Sequence, residues 1–184
     1  MDDHTCLMNQ CETDGETLEE AQRAYMERPA GRAIDICFLF FLVIAVAALI
    51  LEHVFEFRSR ITAQSVFLMV YSTAMLVWRQ VFFPKRWAKT SLRRRQELYG
   101  VAQLTEKKYF LDNELMVRTE QIEEELHLSY AVFHRVIETK NLIVLFTKQR
   151  LMITLDKNGF QNGTAEDFWK LIAEKCPEAK LKRR

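Results

Sequence analysis

The groups in this 184-residue chain that could do chemistry fall in four places. Glu123, Glu125 and His127 alternate, so on a strand they share one face at about 7 Å spacing, which suits a metal site or a general base. Ser129 and His134 follow closely. His4, Cys6 and Cys11 offer metal ligands near the N-terminus. His53 has Glu52 and Glu56 at helical spacing. Asp35 sits about two residues inside an apolar run, where an acid is a functional candidate by default.

None of these sets completes a catalytic constellation. The Glu123–His127 face reads more simply as a solvated strand face. Ser129 with His127 or His134 lacks the glycine pattern of a nucleophile elbow. Cys6 and Cys11 are wide for a zinc knuckle and have no second ligand pair nearby, so a loose polar tail over Met1–Asp14 is the simpler reading. Five glycines in the whole chain leave no glycine-rich phosphate loop before a helix. His53 reads as the wet end of a helix. The four cysteines (Cys6, Cys11, Cys37, Cys176) are dispersed and make no disulfide framework. The expectation is a protein that is not an enzyme and has no cofactor or metal.

The elements that position these residues begin with two apolar runs. Ala33–Leu51 is 19 residues with one charge, Asp35. At ~1.5 Å per residue it covers roughly 28 Å, close to the thickness of a bilayer core. Thr62–Phe83 is a second such run. Its polar residues are small hydroxyls (Ser65, Ser72, Thr73), with Arg79 and Gln80 near the end, where long side chains snorkel. Trp78, Trp87 and Tyr71 suit the interface. An acidic leader precedes the first run, which starts too late and runs too long for a signal core. Pro29 and Gly31 should break the chain before it. The expectation is a transmembrane hairpin, 33–51 and 62–83. Asp35 and Arg79 both fall at its cytoplasmic ends and could pair there, as could Asp35 with Arg32.

Charge patterning orients the hairpin. Residues 1–32 carry eight acids and three bases, whereas 84–95 carry Lys85, Arg86, Lys89, Arg93, Arg94 and Arg95 with no acid. The overall charge of +1 hides this. The positive-inside rule puts both termini in the cytoplasm and the Glu52–Arg60 connector outside. The basic run, read as a juxtamembrane helix over 84–99 interrupted near Pro84, is expected to contact anionic lipid headgroups. No nucleic-acid module surrounds it, so nucleic acid is not an expected partner.

Thr13–Glu27 reads as a short amphipathic helix capped by Thr17 with Glu20 in a capping box, within a leader domain of residues 1–32. From Glu106 the period changes to two. Short strands are expected at Lys108–Asp112, Glu114–Thr119 and Gln121–Ser129, the last at an edge or a strand end because Glu124 interrupts its apolar face. Tyr130–Val136 fits a turn of helix or an irregular strand. The apolar Leu142–Thr147 should be central, turning at Lys148-Gln149 into Arg150–Asp156. Asn158-Gly159 and Asn162-Gly163 are turns. Thr164 then caps a last helix that buries Phe168, Leu171 and Ile172, with Trp169 partly buried. Pro177 ends it, and a frayed basic tail follows. The fold class is α+β: a transmembrane hairpin, then a pleckstrin-homology-like antiparallel domain over residues 100–184, closed by a C-terminal helix.

With these parts in order, the chain resembles the YcxB-like bacterial membrane proteins. The resemblance rests on the leader TLEEAQRAYM, the junction Phe82-Phe83-Pro84-Lys85, the stretch Tyr130–Thr139 and the turn Lys157–Phe168. Tyr130 stands where that family commonly has Trp, and Leu155-Asp156-Lys157 where a Pro-Lys pair is common. The resemblance implies a bacterial cell-membrane location and a fold, but no reaction. The expected function is a membrane-anchored binding or regulatory module that engages a protein, a peptide or lipid headgroups. The alternative is a small sensor or transport accessory subunit that oligomerises through its hairpin, using Ala45, Ala47, Ala48 and Ala74 as packing residues.

Overall fold

The computed structural model describes residues 7–55, 61–121, 125–149 and 151–183. The chain divides into two units. One comprises residues 25–87; the other joins the residues up to Ala24 with Ala88–Arg184.

The first unit is helical. Helix α2 runs Pro29–Phe55 and α3 runs Ile61–Val77, and the two pack against each other. Helix α2 and the continuous helical run Thr62–Tyr99 that begins with α3 are each long and apolar enough to cross a membrane. Small residues sit between them: Ala45, Ser65 and Ser72 are buried. The leader helix ends at Met26, so the expected break before the span is present, and Pro29 opens α2 at a helical position where a missing N–H costs nothing. Gly31, expected as a breaker, lies inside the first turns. A Cβ there would lie 2.0 Å from the Met26 carbonyl oxygen, so the close approach of the chain requires glycine.

After α3 the helix widens into one π turn, Trp78–Phe82, in which the Phe83 N–H reaches the Trp78 carbonyl. Helix α4, Phe83–Tyr99, then continues without a break. The expected interruption at Pro84 is thus a change of pitch. Proline has no N–H to donate, and its ring crowds the carbonyl four residues back. The wider turn just before it relieves that clash.

The second unit is built on two four-stranded sheets. One has the order β1-β2-β3-β4, the other β7-β6-β5-β8. Strand β1 is Leu7–Thr13, β2 Leu104–Phe110, β3 Glu114–Thr119 and β4 Glu125–Ser129. After a single 3-10 turn at Tyr130–Val132 come β5 Phe133–Glu138, β6 Leu142–Thr147, β7 Met152–Asp156 and β8 Lys180–Lys182. Neighbours are antiparallel except β5 and β8, which are parallel. Strand β6 is the central, wholly buried strand that its apolar run demands, and β4 is an edge. Residues 122–124 and Arg150, parts of two expected strands, lie outside the described residues.

Helix α5, Ala165–Lys175, closes the core formed by the sheets. Thr164 is the expected N-cap, and with Asp167 it makes a capping box worth about 1 kcal/mol. Phe168 meets Phe110 edge-on at 5.3 Å, and Ile172 is fully buried. Trp169 is buried, not partly exposed: it joins the core beside Phe168, and Arg183 from the C-terminal segment lies over its ring.

Three expectations for this unit give way. The N-terminal segment is not a loose tail from residue 7 onward. It is strand β1, in register with β2 from Leu7↔Phe110 to Thr13↔Leu104. The C-terminal segment is not frayed at Lys180–Lys182, which adds β8 beside β5. Helix α1, Gly15–Met26, is capped by Asp14, whose carboxylate accepts the Thr17 N–H at 2.8 Å. Glu20 is thereby free of capping. It accepts hydrogen bonds from the Asn141 N–H (2.8 Å) and the Asn141 amide (3.0 Å) in the β5–β6 turn. Burial raises the Glu20 pKa, but these bonds and one from Thr139 outweigh it and hold the carboxyl below its ordinary 4.5. This latch is intact above that pH and is lost as pH falls through the lowered value.

The seam between the sheets is a glycine contact. The Gln10 N–H donates to the Gly159 carbonyl at 2.8 Å, and Gln161 N–H to the Met8 carbonyl at 3.0 Å. A Cβ on Gly159 would lie 2.0 Å from the Gln10 oxygen.

Residues 100–184 expressed alone should not give a stable domain, because β2 would lose its whole β1 partner. A chain joining residues 1–24 through a flexible linker to 88–184 should fold. Cooperative thermal unfolding by circular dichroism distinguishes them; equal cooperativity of the two would show that β1 is dispensable.

Candidate functional site

Three charged constellations stand out among the described residues. The first is in the hairpin. Arg79, at the π turn, places Nη1 2.7 Å from Asp35 Oδ1 and 2.9 Å from the Gly31 carbonyl oxygen. One guanidinium thus brackets the first turns of α2 to the far end of the second apolar run. Both side chains are largely shielded, 13% and 27% exposed. Within an apolar setting, such a bracket neutralises two groups that would each be costly alone. Arg32, the other sequence candidate for Asp35, is exposed.

The second is the basic helix α4. Lys85, Arg86, Lys89, Arg93 and Arg94 are exposed, whereas Arg95 is half-buried. At ~100° per residue, Lys85, Arg86, Lys89 and Arg93 fall within an arc of about 100°, Arg94 lies behind them, and Arg95 is on the side of the buried Pro84 and Ala88. The six expected contacts therefore resolve into a stripe of four, one flanking residue and one turned away.

The third is the sheet β1-β2-β3-β4. Across its outer face runs a row Gln10–Lys107–Arg118–Glu125, each residue opposite the next. Beside it runs Met8–Tyr109–Met116–His127. The expected strand face of Glu123, Glu125 and His127 comes together only in part. Glu123 lies outside the described residues, Glu125 is 3.8 Å from Arg118, and His127 Nδ1 is 2.7 Å from Glu114 Oε1. His127 thus pairs across to β3, and no group of three metal-ligating side chains forms among the described residues. His4, Cys6 and Glu56 also lie outside them. Glu52 is bonded by Thr62, and His53 is exposed at the end of α2.

The inner face of the same sheet holds a feature that the sequence reading missed. Asn9, Cys11, Thr13 and Lys108 are all buried. Lys108 has no exposure; its Nζ lies 2.9 Å from Glu106 Oε2, close enough for an ion pair although the angles do not make a hydrogen bond. Asn9, directly opposite Lys108, donates to the Asp156 carbonyl at 2.7 Å. Burial pushes the Cys11 thiol up against the pull of Lys108 and of the Thr154 hydroxyl, so it stays protonated and inert. Cys176 is likewise pushed up to about 11 by burial. In β1 the period of two is present, but Asn9 and Thr13 make half of its four inward residues polar, so the usual apolar signal is weak.

Comparison with known proteins bears on this unit. Residues 110–172 match the family model of the YcxB-like protein. That segment is YcxB-like. It runs from the end of β2 through β7 to Ile172 of α5, about a third of the chain, and holds the α5-capped core. The resemblance carried by Tyr130–Thr139 and Lys157–Phe168 falls within it, whereas β1, the hairpin and the basic stripe fall outside. No curated protein and no solved structure matches the chain.

Two measurements probe these constellations. Asp35→Arg combined with Arg79→Asp should restore membrane expression that either single reversal lowers; singles as well tolerated as the double would exclude a functional pair. Lys108→Met combined with Glu106→Gln should leave the thermal midpoint unchanged or raise it, because the desolvation cost of the pair disappears. Glu106→Gln should destabilise by about 3 kcal/mol, because it strands a buried cation. Equal losses in the two variants would show that the pair itself stabilises the fold.

Proposed function

We propose that the chain is a non-enzymatic, membrane-anchored binding or regulatory module of the bacterial cytoplasmic membrane. The hairpin anchors a pleckstrin-homology-like domain on the cytoplasmic side, both termini inside and the connector outside. The domain engages a protein, a peptide or a lipid headgroup.

One observation carries this reading. Large apolar side chains of α2 and α3 point outward around most of each helix: Ile36, Phe40, Val43, Ile50, Phe67 and Val70 are all more than half exposed. A soluble protein does not leave such a surface in water. A bilayer covers it, with every backbone group already satisfied within the helices. The Asp35–Arg79 bracket supports the same placement, since it removes the two charges at the edge of the apolar span. The α4 stripe then meets anionic headgroups at ~1 kcal/mol per basic residue. For the domain, two sheets with a C-terminal helix over the core support the pleckstrin-homology-like description. Oligomerisation through the hairpin has a narrower basis, since Ala45 is already used between α2 and α3 while Ala47 and Ala74 are exposed.

In intact cells a membrane-impermeant maleimide should label Ser59→Cys in the connector, whereas Asn162→Cys should label only after lysis. The chain should also resist carbonate extraction. The opposite labelling pattern, or release by carbonate, would overturn the anchor. Replacing Lys85, Arg86, Lys89 and Arg93 by Gln should reduce anionic lipid retained on purification, whereas Arg95→Gln should not; equal retention would remove the stripe from the account.

A further inference from the structure

The outer face of the β1-β2-β3-β4 sheet carries a pocket of about 330 Å³ lined by Lys107, Tyr109, Arg118, Thr119 and Glu120. That volume suits a small ligand. Lys107 and Arg118 stand directly opposite each other across the β2–β3 pair. Like charges in that position repel and weaken the sheet unless a counter-charge joins them. Among the described residues the counter-charges are Glu120 and Glu125. Glu120 lies 2.7 Å from Lys107, on a side chain that is 42% exposed and can swing away. Among the described residues, the acid nearest Arg118 is Glu125, at 3.8 Å, too far for a hydrogen bond. Its planar fork of donors is therefore open, more than half exposed, and pointed to the same face as the Lys107 ammonium. A fork beside a second cation matches the tetrahedral oxygens of a phosphoryl group, whose two negative charges balance both.

We propose that this pocket binds a phosphomonoester, with Arg118 and Lys107 on the phosphoryl oxygens and Tyr109 against the group that bears it. The proposal rests on the reading of the domain as a binding module and names its ligand chemistry. The phosphomonoester is either a soluble metabolite or an anionic lipid headgroup. Glu120 is the competitor: ligand entry releases it from Lys107. Arg118 and Lys107 are exposed enough to be replaced without disturbing the core, which lies on the other face of the sheet.

The test uses the full-length chain. In detergent it is titrated calorimetrically with glycerol 3-phosphate; in nanodiscs its binding to phosphatidate is compared with phosphatidylcholine. Saturable binding in the first arm identifies a soluble source, and binding confined to the second a lipid one; either supports the proposal if it depends on the pocket. Arg118→Gln should weaken binding by about tenfold or more, the scale of one charge-assisted contact. Glu120→Gln should tighten it several-fold by removing the competitor, a gain that a merely structural role does not predict. Absence of binding in both arms, or unchanged affinity in both Arg118→Gln and Lys107→Gln, overturns the proposal. Phosphatidate binding lost only with the α4 stripe substitutions also overturns it, while leaving the membrane anchor standing.

Discussion

The pairing of Leu7–Thr13 with Leu104–Phe110 is the contact on which the rest depends. It joins two segments separated by the whole helical hairpin and completes the sheet at the edge that meets β7. Without it, β2 would present a free edge, and the buried lysine would lose Asn9 and Cys11 as its ceiling. The entropic cost of closing so long a connection rises only slowly with its length. An antiparallel hairpin lowers it further, because the chain leaves and returns on the same side.

That arrangement makes the hairpin an insertion within a domain. Helix α1 belongs to the same logic. Asp14 starts it directly after β1, and Glu20 ties it to the β5–β6 turn. Both ends of the chain are therefore used: β1 completes one sheet and β8 the other. The YcxB-like segment is the part between them, with the core strands and the closing helix.

Charge is handled differently in each place. In the hairpin, Asp35 and Arg79 neutralise each other beside a carbonyl. Inside the sheet, Lys108 is matched by a single carboxylate and held in a polar pocket. On the outer face, Lys107 and Arg118 stand opposed; Lys107 is paired with the half-exposed Glu120, and Arg118 is only loosely matched by Glu125. The first two arrangements are closed. The third stays open to solvent and to a ligand, which is why the outer face, not the buried cluster, is where chemistry can be recognised.

Much of this was legible in the sequence because periodicity and length report one physical variable at a time. Two long apolar runs define α2 and α3; Leu142–Thr147 has to be a central strand; Thr164 and Asp167 have to cap a helix. The proximity of Asp35 and Arg79 followed from their places at the two ends of a hairpin. The tertiary structure alone decided that the N-terminal segment is a strand. Beside Leu7 its inward residues are Asn9, Cys11 and Thr13, and their burial depends on partners such as Lys108 and Thr154, which are distant in sequence. It alone separated Lys107 from its neighbour Lys108, one facing a pocket and the other the core, because a strand sends adjacent side chains to opposite faces. Local sequence records what a residue prefers, whereas the partner across the sheet determines what a polar residue can tolerate.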